Sequence, residues 1–297
     1  MMAVVGHLTI DEIMLHDHEP HIAMGGTAAY ASLGARLMGA EVKIYSVIGG
    51  EFPEDYIDFL AEAGIDTSGI IRLSDAQTTR FKLSYMSEDR VVELLSRAPD
   101  ISLNGIREPH VYLGPVAWEI DVSEIPDLIS RSRHVALDPQ GLMRAAEIPG
   151  QVTLQRTLSP LMLEGLWMLR ISREEACVLT GIDDPVKMCR RLGFIGADVI
   201  VVTAGSWGLI VSTDGRMFKV PAYKVRGGDP TGAGDVMGGA MMAEYIKTGD
   251  LEWSAAVGAA AASLSVEGRG PEYLLSENAL EIVLERAEYL VRRIEWL

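Results

Sequence analysis

The densest chemistry in the chain lies in nine residues, Gly227-Gly228-Asp229-Pro230-Thr231-Gly232-Ala233-Gly234-Asp235. They follow a strand-like stretch and open an apolar helix. Gly232 and Gly234 lack the Cβ atoms that would hold a ligand off the backbone. The amides of Ala233, Gly234 and Asp235 can then converge at a helix N-terminus, a point that attracts anions. Such a point suits the negative charge that builds on a transferring phosphoryl group. Asp235 lies where an acceptor hydroxyl would meet that phosphate. A carboxylate there orients the alcohol and takes its proton as the new bond forms. The same residues also fit a plainer description: a helix start capped by Thr231, with Asp235 in the first turn for the sake of the dipole.

Several smaller constellations accompany this turn. Thr203, Gly205 and Gly208 belong to Val202-Thr203-Ala204-Gly205-Ser206-Trp207-Gly208, just past a core strand. The carboxyl end of a strand is where open α/β sheets bind ligands. Ser172-Arg173-Glu174-Glu175 also follows a strand and has the spacing of a capping box. Asp11 follows the first strand-like run, and Gly25-Gly26-Thr27 opens a helix whose N-cap would be Thr27. Asp138-Pro139-Gln140-Gly141 lies at another strand end, with Arg144 shortly after it. Ala259–Ala262, on a small-residue helix, offer either a flat wall for an adenine or plain helix packing.

Asp229-Pro230-Thr231-Gly232-Ala233-Gly234-Asp235 resembles the Asp-Thr-x-Gly-Ala-Gly-Asp signature of the PfkB, ribokinase-like carbohydrate kinases, with proline at the second position. Gly25-Gly26 is similar to the family's N-terminal diglycine. Val202–Gly208 resembles its Val-Thr-x-Gly-x-x-Gly nucleotide segment. The three motifs occur in the family's order and span nearly the whole chain. The resemblance implies an ATP- and magnesium-dependent kinase acting on a hydroxyl. It makes Asp235 the catalytic base and Gly232, Ala233 and Gly234 the anion hole. It places ATP along Thr203, Gly205 and Gly208, with Ala259 beside the base. Asp11, Gly25, Gly26 and Thr27 become acceptor-binding residues. Glu175 matches the family glutamate that helps hold magnesium through water, whereas Ser172 replaces the usual asparagine. Asp229 would border the monovalent-cation site found in some relatives. A catalytically inactive nucleotide-binding or regulatory module on the same scaffold is the alternative, and Ser172 is the only feature pointing to it.

The resemblance implies a small polyhydroxy acceptor, whether sugar, cyclic polyol or nucleoside. Sugar-specific ribokinases show Gly-Gly-Lys-Gly-x-Asn where this chain reads Gly25-Gly26-Thr27-Ala28-Ala29-Tyr30. A tyrosine offers one hydroxyl and a ring face, and recognises a sugar differently from an amide. A non-ribose acceptor is therefore expected, with a cyclic polyol ahead of a nucleoside. A nucleoside would need an apolar slot, for which Phe81, Leu83 and Tyr85 alternate on one strand face.

The elements that must position these residues alternate along the chain. Strands are expected at Ala3–Leu8, Val42–Ile48, Val111–Leu113, His134–Leu137, Trp167–Ile171 and Asp198–Thr203. Helices are expected at Thr27–Met38, Pro53–Ala63, Ser123–Ser130, Glu174–Leu179 and Pro185–Leu192, then over 232–247, 251–266 and 276–294. Regular strand–helix alternation predicts a doubly wound α/β fold, a mostly parallel sheet covered on both faces. A hairpin is expected after Trp207, Leu209–Ser212 with Met217–Val220. One region breaks the rhythm: a segment at about 10–24 and a hairpin-like stretch at about 78–97 together predict a small β-sheet lid on a single kinase domain. The second of these turns at Ser87-Glu88-Asp89-Arg90. Arg80 and Arg90 on it could reach phosphates or remain solvated. Exposed lid edges invite pairing, so a homodimer through the lid is expected.

Composition narrows the partners. The chain has 297 residues, 48% of them hydrophobic, which is ample for a globular core. Its formal charge of −16 disfavours nucleic acid and anionic membrane surfaces. Two cysteines, Cys177 and Cys189, make no disulfide framework and no zinc site. The N-terminus lacks the features of a signal peptide and no apolar run reaches bilayer length, so a cytoplasmic location is expected. No Gly-x-Gly-x-x-Gly follows the first strand, which argues against a nicotinamide dehydrogenase.

Overall fold

The computed structural model describes residues 1–15, 19–85, 90–158, 163–226, 228–268 and 271–297. The polar turn expected around residues 87–89 lies outside them, as do the side chains of Tyr85 and Arg90 and the whole of Gly227. The chain opens with strands β1 (Met2–Val5), β2 (Thr9–Leu15) and β3 (His21–Gly25), then helix α1 (Thr27–Leu37). It continues through β4 (Val42–Gly49), α2 (Glu54–Glu62), β5 (Asp66–Leu73), β6 (Thr79–Tyr85) and β7 (Arg90–Ser96). Next come β8 (His110–Leu113), α3 (Ile125–Arg131), β9 (His134–Leu137) and three two-residue strands, β10 (Arg144–Ala145), β11 (Gly150–Gln151) and β12 (Thr153–Leu154). After these run β13 (Met168–Ser172), α4 (Arg173–Thr180), α5 (Pro185–Leu192), β14 (Val199–Thr203), β15 (Leu209–Thr213) and β16 (Arg216–Val220). The chain closes with α6 (Ala233–Thr248), α7 (Leu251–Glu267), α8 (Ala279–Val291) and β17 (Glu295–Trp296).

Ten strands form one sheet in the order β17-β16-β15-β14-β13-β9-β8-β1-β4-β5. From β14 to β5 every pairing is parallel, whereas β15, β16 and β17 add on antiparallel. The parallel strands are apolar on both faces because both are covered. In β1, Met2 and Val4 join a core shared with α1, α6, α7 and α8, while Ala3 and Val5 join a second core with α3, α4 and α5. Strand β5 was not expected from sequence. It is an edge strand whose burial alternates, and Gly69 and Arg72 dilute its pattern. Asp11 also differs from expectation. It lies within β2, a strand of a second sheet, not in a loop following β1.

That second sheet has the order β11-β7-β6-β2-β3 and mixes parallel and antiparallel pairs. Its inner face carries Ile13, Phe81, Leu83 and Leu94, packed with Val116 and Ala117 from the loop after β8. The edge strand β3 leaves Ile22 exposed.

A buried carboxylate fastens the junction of the two sheets. Glu119 is fully buried, and it accepts the amides of His7 (2.8 Å), Val116 (2.9 Å) and Ala117 (2.7 Å). His7 in turn pairs its ring nitrogens with Thr79 Oγ1 (2.8 Å) and the Pro99 carbonyl (2.9 Å). Glu119 thereby ties the ends of β1 and β8 together, and the His7 ring ties them to the start of β6. Glu119→Ala would strand three buried N–H donors, at a cost of roughly 3 kcal/mol or more. Denaturant unfolding is expected to show a loss of that size; a loss below about 1 kcal/mol would mean that the junction holds without Glu119.

Candidate active site

The carboxyl ends of the central parallel strands point at the N-terminus of α6, and the chemistry gathers there. Gly232 caps α6 with φ 72°, a left-handed conformation that glycine adopts without strain. A Cβ at this position would also sit 2.4 Å from the Tyr30 ring, so the turn and that ring lie in contact. Asp229 shapes the approach by accepting the Thr231 amide at 2.9 Å. Asp235 enters the first turn of α6 and is only 9% exposed.

Two elements distant in sequence orient Asp235. Thr27, at the start of α1, donates its hydroxyl to Asp235 Oδ1 at 3.1 Å. Gln140, just past β9, donates through Nε2 to the same oxygen at 3.1 Å and to Thr27 Oγ1 at 2.9 Å. Arg144 in turn donates to Gln140 Oε1 at 2.8 Å and so fixes which way that amide faces. Behind them lies a buried ion pair between Arg170 on β13 and Asp138 at the end of β9. Arg170 also donates to Thr203 Oγ1 at 3.1 Å.

Burial and the Asp138 charge raise the Asp235 carboxyl to about 7, against the opposing pull of Arg170 and the Thr27 hydroxyl. Burial and Asp138 likewise raise Glu175. Burial disfavours the charge of Arg170, but the carboxylates around it, Asp138 foremost, outweigh that and keep it cationic. Burial, then the charges of Asp11, Asp229 and Asp235, raise the Tyr30 phenol well above its ordinary range, so it stays a neutral hydroxyl.

These residues line a cavity of about 700 Å³. Thr9 and Asp11 line it from β2, Tyr30 from α1, Arg170, Ser172, Glu174 and Glu175 from β13 and α4, and Gly232, Gly234 and Asp235 from the start of α6. Asp11 is buried, takes the Thr9 hydroxyl on Oδ1 at 2.7 Å and lies against Gly25. Gly26 and Thr27 line the wall beside it. Glu175 and Ser172 form the capping box of α4, with Ser172 N donating to Glu175 Oε2 at 2.9 Å. Among the described residues no group of three or more His, Cys, Asp or Glu side chains is spaced to hold a metal by itself. The pair Glu174 and Glu175 instead fits a magnesium ion that keeps its waters and takes substrate phosphates as further ligands.

The structure thus brings together Asp235, Gly232, Gly234, Asp11, Gly26, Thr27 and Glu175. Thr203 joins through Arg170. Gly205, Gly208 and Ala259 are absent from the cavity wall: Gly208 packs against Val220 and Ala259 is buried in the core. Arg170 was missed as a member of the site, while Gln140 was singled out only within the strand-end segment Asp138–Gly141, as lining a cleft and with no role assigned. Gln140 gave no signal beyond its place at a strand end. Arg170 did give one, a lone charge inside the apolar run Met168-Leu169-Arg170-Ile171.

Comparison with known proteins agrees with this geometry. The pfkB family carbohydrate kinase profile matches residues 143–278. The chain is 27% identical to the cytidine kinase of Thermococcus kodakarensis, over 84% of this chain and 90% of that one. It is 26% identical to the nucleoside kinase of Methanothermobacter thermautotrophicus, over 91% of each. Among solved structures, a pyrophosphate-dependent kinase of the ribokinase family, complexed with a pyrophosphate analog and myo-inositol, superposes with a TM-score of 0.83 at 24% identity. That superposition covers 95% of this chain and 100% of the other. The chain is similar to the PfkB, ribokinase-like carbohydrate kinases in sequence and in fold. It is a phosphotransferase acting on a hydroxyl acceptor. No described helix is long and apolar enough to cross a membrane.

The raised carboxyl of Asp235 has a consequence for stability. Its folded-state value, about 7, exceeds the ordinary aspartate value of about 3.9. The folded protein therefore binds this proton more tightly than the unfolded chain, and stability falls as pH rises through that interval. Asp235→Asn removes the charge and keeps an oxygen acceptor for Thr27. Its melting temperature is expected to exceed the wild type's at about pH 8, with the gap closing toward pH 5. A variant less stable than wild type at the higher pH would contradict the buried, charge-crowded environment.

Proposed function

We propose that this protein phosphorylates a hydroxyl of a nucleoside by in-line transfer from ATP, with Asp235 as the base. The observation that carries the acceptor reading is the apolar wall at the Asp11 end of the cavity, made by Phe81, Leu83, Val92, Val116, Val152 and Leu154. A nucleobase is flat and apolar on both faces, and such a wall gains from burying it. A cyclic polyol would set hydroxyls against that wall with no partners, at a cost for each. The wall reverses the order expected from sequence, where the cyclic polyol stood first. Asp11, with Thr9 beside it, is suited to accept hydrogen bonds from sugar hydroxyls.

In the transfer, the acceptor hydroxyl donates to Asp235, already oriented by Thr27 and Gln140. Its oxygen forms the new bond to phosphorus as the bond to the leaving phosphate breaks. The bonding pair stays on the leaving oxygen, and the acceptor proton passes to Asp235. The amides of Ala233, Gly234 and Asp235 face the charge on the transferring group. Magnesium, when bound, neutralises charge on the donor phosphates, and Glu175 and Glu174 are the residues that would hold it through water. Asp229 and its turn would border a monovalent cation.

Inorganic pyrophosphate is the second donor to test, since a structural neighbour is a pyrophosphate-dependent kinase of the ribokinase family. The regulatory-module reading has less support, since an oriented carboxylate at a helix N-terminus beside an acceptor cavity serves turnover rather than sensing.

The test is consumption of ATP and of pyrophosphate, each measured against nucleosides, inositols and sugars. A nucleoside is expected to give the highest kcat/KM. Asp235→Asn is expected to lower kcat by about 10²–10⁴-fold while donor binding persists. A better acceptor among the inositols or free ribose would overturn the nucleoside reading, and near-normal turnover in the Asn variant would remove Asp235 as base.

A further inference from the structure

We infer that Arg170 is a further catalytic residue, a guanidinium that contacts the phosphoryl group in transfer. The inference rests on the donor end of the cavity being the one proposed above. Arg170 rises from the middle of β13, a strand otherwise apolar, and is 7% exposed. A charge is seldom buried in a strand interior unless something holds it and something uses it. The holding groups are plain: the Asp138 carboxylate on Nη1 and the Thr203 hydroxyl on Nη2. Nε is buried and has no hydrogen-bond partner among the described residues. A buried guanidinium with an unmet donor is costly, and such groups call for an explanation.

Position gives the Nη edge of this guanidinium a use beyond its two partners. Arg170 lines the cavity together with Gly234 and Asp235. Its Nη2 lies so close to Gly234 that a Cβ there would stand 1.8 Å from it. The guanidinium therefore packs directly against the turn whose amides face the donor. Among the described residues on the cavity wall, only Arg144 and Arg170 are cationic, against Asp11, Glu174, Glu175 and Asp235. Arg144 is engaged with Gln140 and sits over the Phe81 ring, on the acceptor side. Arg170 alone stands at the junction of phosphate turn and base. An arginine there offers fixed N–H donors to equatorial phosphoryl oxygens as charge spreads over them. No atom is exchanged with Arg170, which stays protonated throughout.

The difficulty in testing this is Asp138, since removing Arg170 alone leaves a buried carboxylate without its partner. The experiment therefore compares Arg170→Lys, Arg170→Met and the double variant Asp138→Asn/Arg170→Met, in which the buried pair is neutral. Melting temperature, kcat and both KM values are measured, with binding of magnesium pyrophosphate followed by calorimetry. The double variant is expected to regain wild-type melting behaviour. Its kcat should nevertheless remain about 100-fold or more below wild type, with acceptor KM within about threefold. Magnesium pyrophosphate should bind it at least about tenfold more weakly, and Arg170→Lys should fall between. Recovery of both kcat and pyrophosphate binding in the double variant would reduce Arg170 to a partner for Asp138 and overturn the inference. If the wild type transfers phosphate from neither donor to any acceptor, the functional reading fails first and this one falls with it. An inactive Asp235→Asn beside a recovered double variant rejects the Arg170 role alone.

Discussion

Three buried carboxylates, those of Asp138, Glu175 and Asp235, are served by one buried guanidinium. Arg170 neutralises Asp138 by direct contact, and its charge lowers both Glu175 and Asp235. One positive charge cannot offset three negative ones, so burial and mutual repulsion keep Glu175 and Asp235 high. An acidic chain that handles phosphate must bring cations to the site, and here only one is built into the strands beneath the anion-binding turn. On the function proposed above, the remaining positive charge arrives with the donor as a divalent ion. A cation near Glu175 would then favour the ionised form of Asp235 and link donor binding to the proposed base.

The sheet makes this concentration of charge feasible. Parallel strands present their carboxyl ends together, and β9, β13 and β14 bring Asp138, Arg170 and Thr203 to one edge. The pairing of Ser172 with Thr203 keeps the last residues of β13 and β14 abreast. Across the gap, α6 begins with small residues, so its first turn can rest on the Arg170 guanidinium at Gly234 and on the Tyr30 ring at Gly232. Larger residues at either position would push the helix off the strands, and Asp235 would lose Thr27 and Gln140 together.

Much of this was legible in the sequence. The strand–helix alternation is strong because the central strands are buried on both faces and their helices are amphipathic or small-residue throughout. The α6 turn was legible because its glycines, its aspartate and their spacing are local. The capping box of Ser172 and Glu175 was legible for the same reason, and it forms. What could not be read were partners distant along the chain. Gln140 meets Asp235 across 95 residues and Arg170 meets Asp138 across 32, and no local pattern encodes either contact. Strand β5 escaped because an edge strand needs no continuous apolar run. The placing of Gly205, Gly208 and Ala259 away from the cavity wall depends on how a hairpin and a helix pack, which their small side chains do not reveal.

Tyr30 serves two surfaces. Its ring is buried and packs on Gly232 in the turn at the start of α6, and it also lines the cavity with Thr9 and Asp11. Asp11 and Thr9 offer polar contacts that any vicinal hydroxyls can use, so they do little to separate a ribose from a cyclic polyol. On the function proposed above, the apolar strip from Phe81 to Leu154 separates them, because it would reward a flat face and penalise hydroxyls. That strip is drawn from β6, β7 and the short strands around 150–154, the segments least related to the phosphate-binding turn. The strip still meets the turn's carboxylate through Arg144, which sits over the Phe81 ring, donates to the Val116 carbonyl and fixes the Gln140 amide beside Asp235.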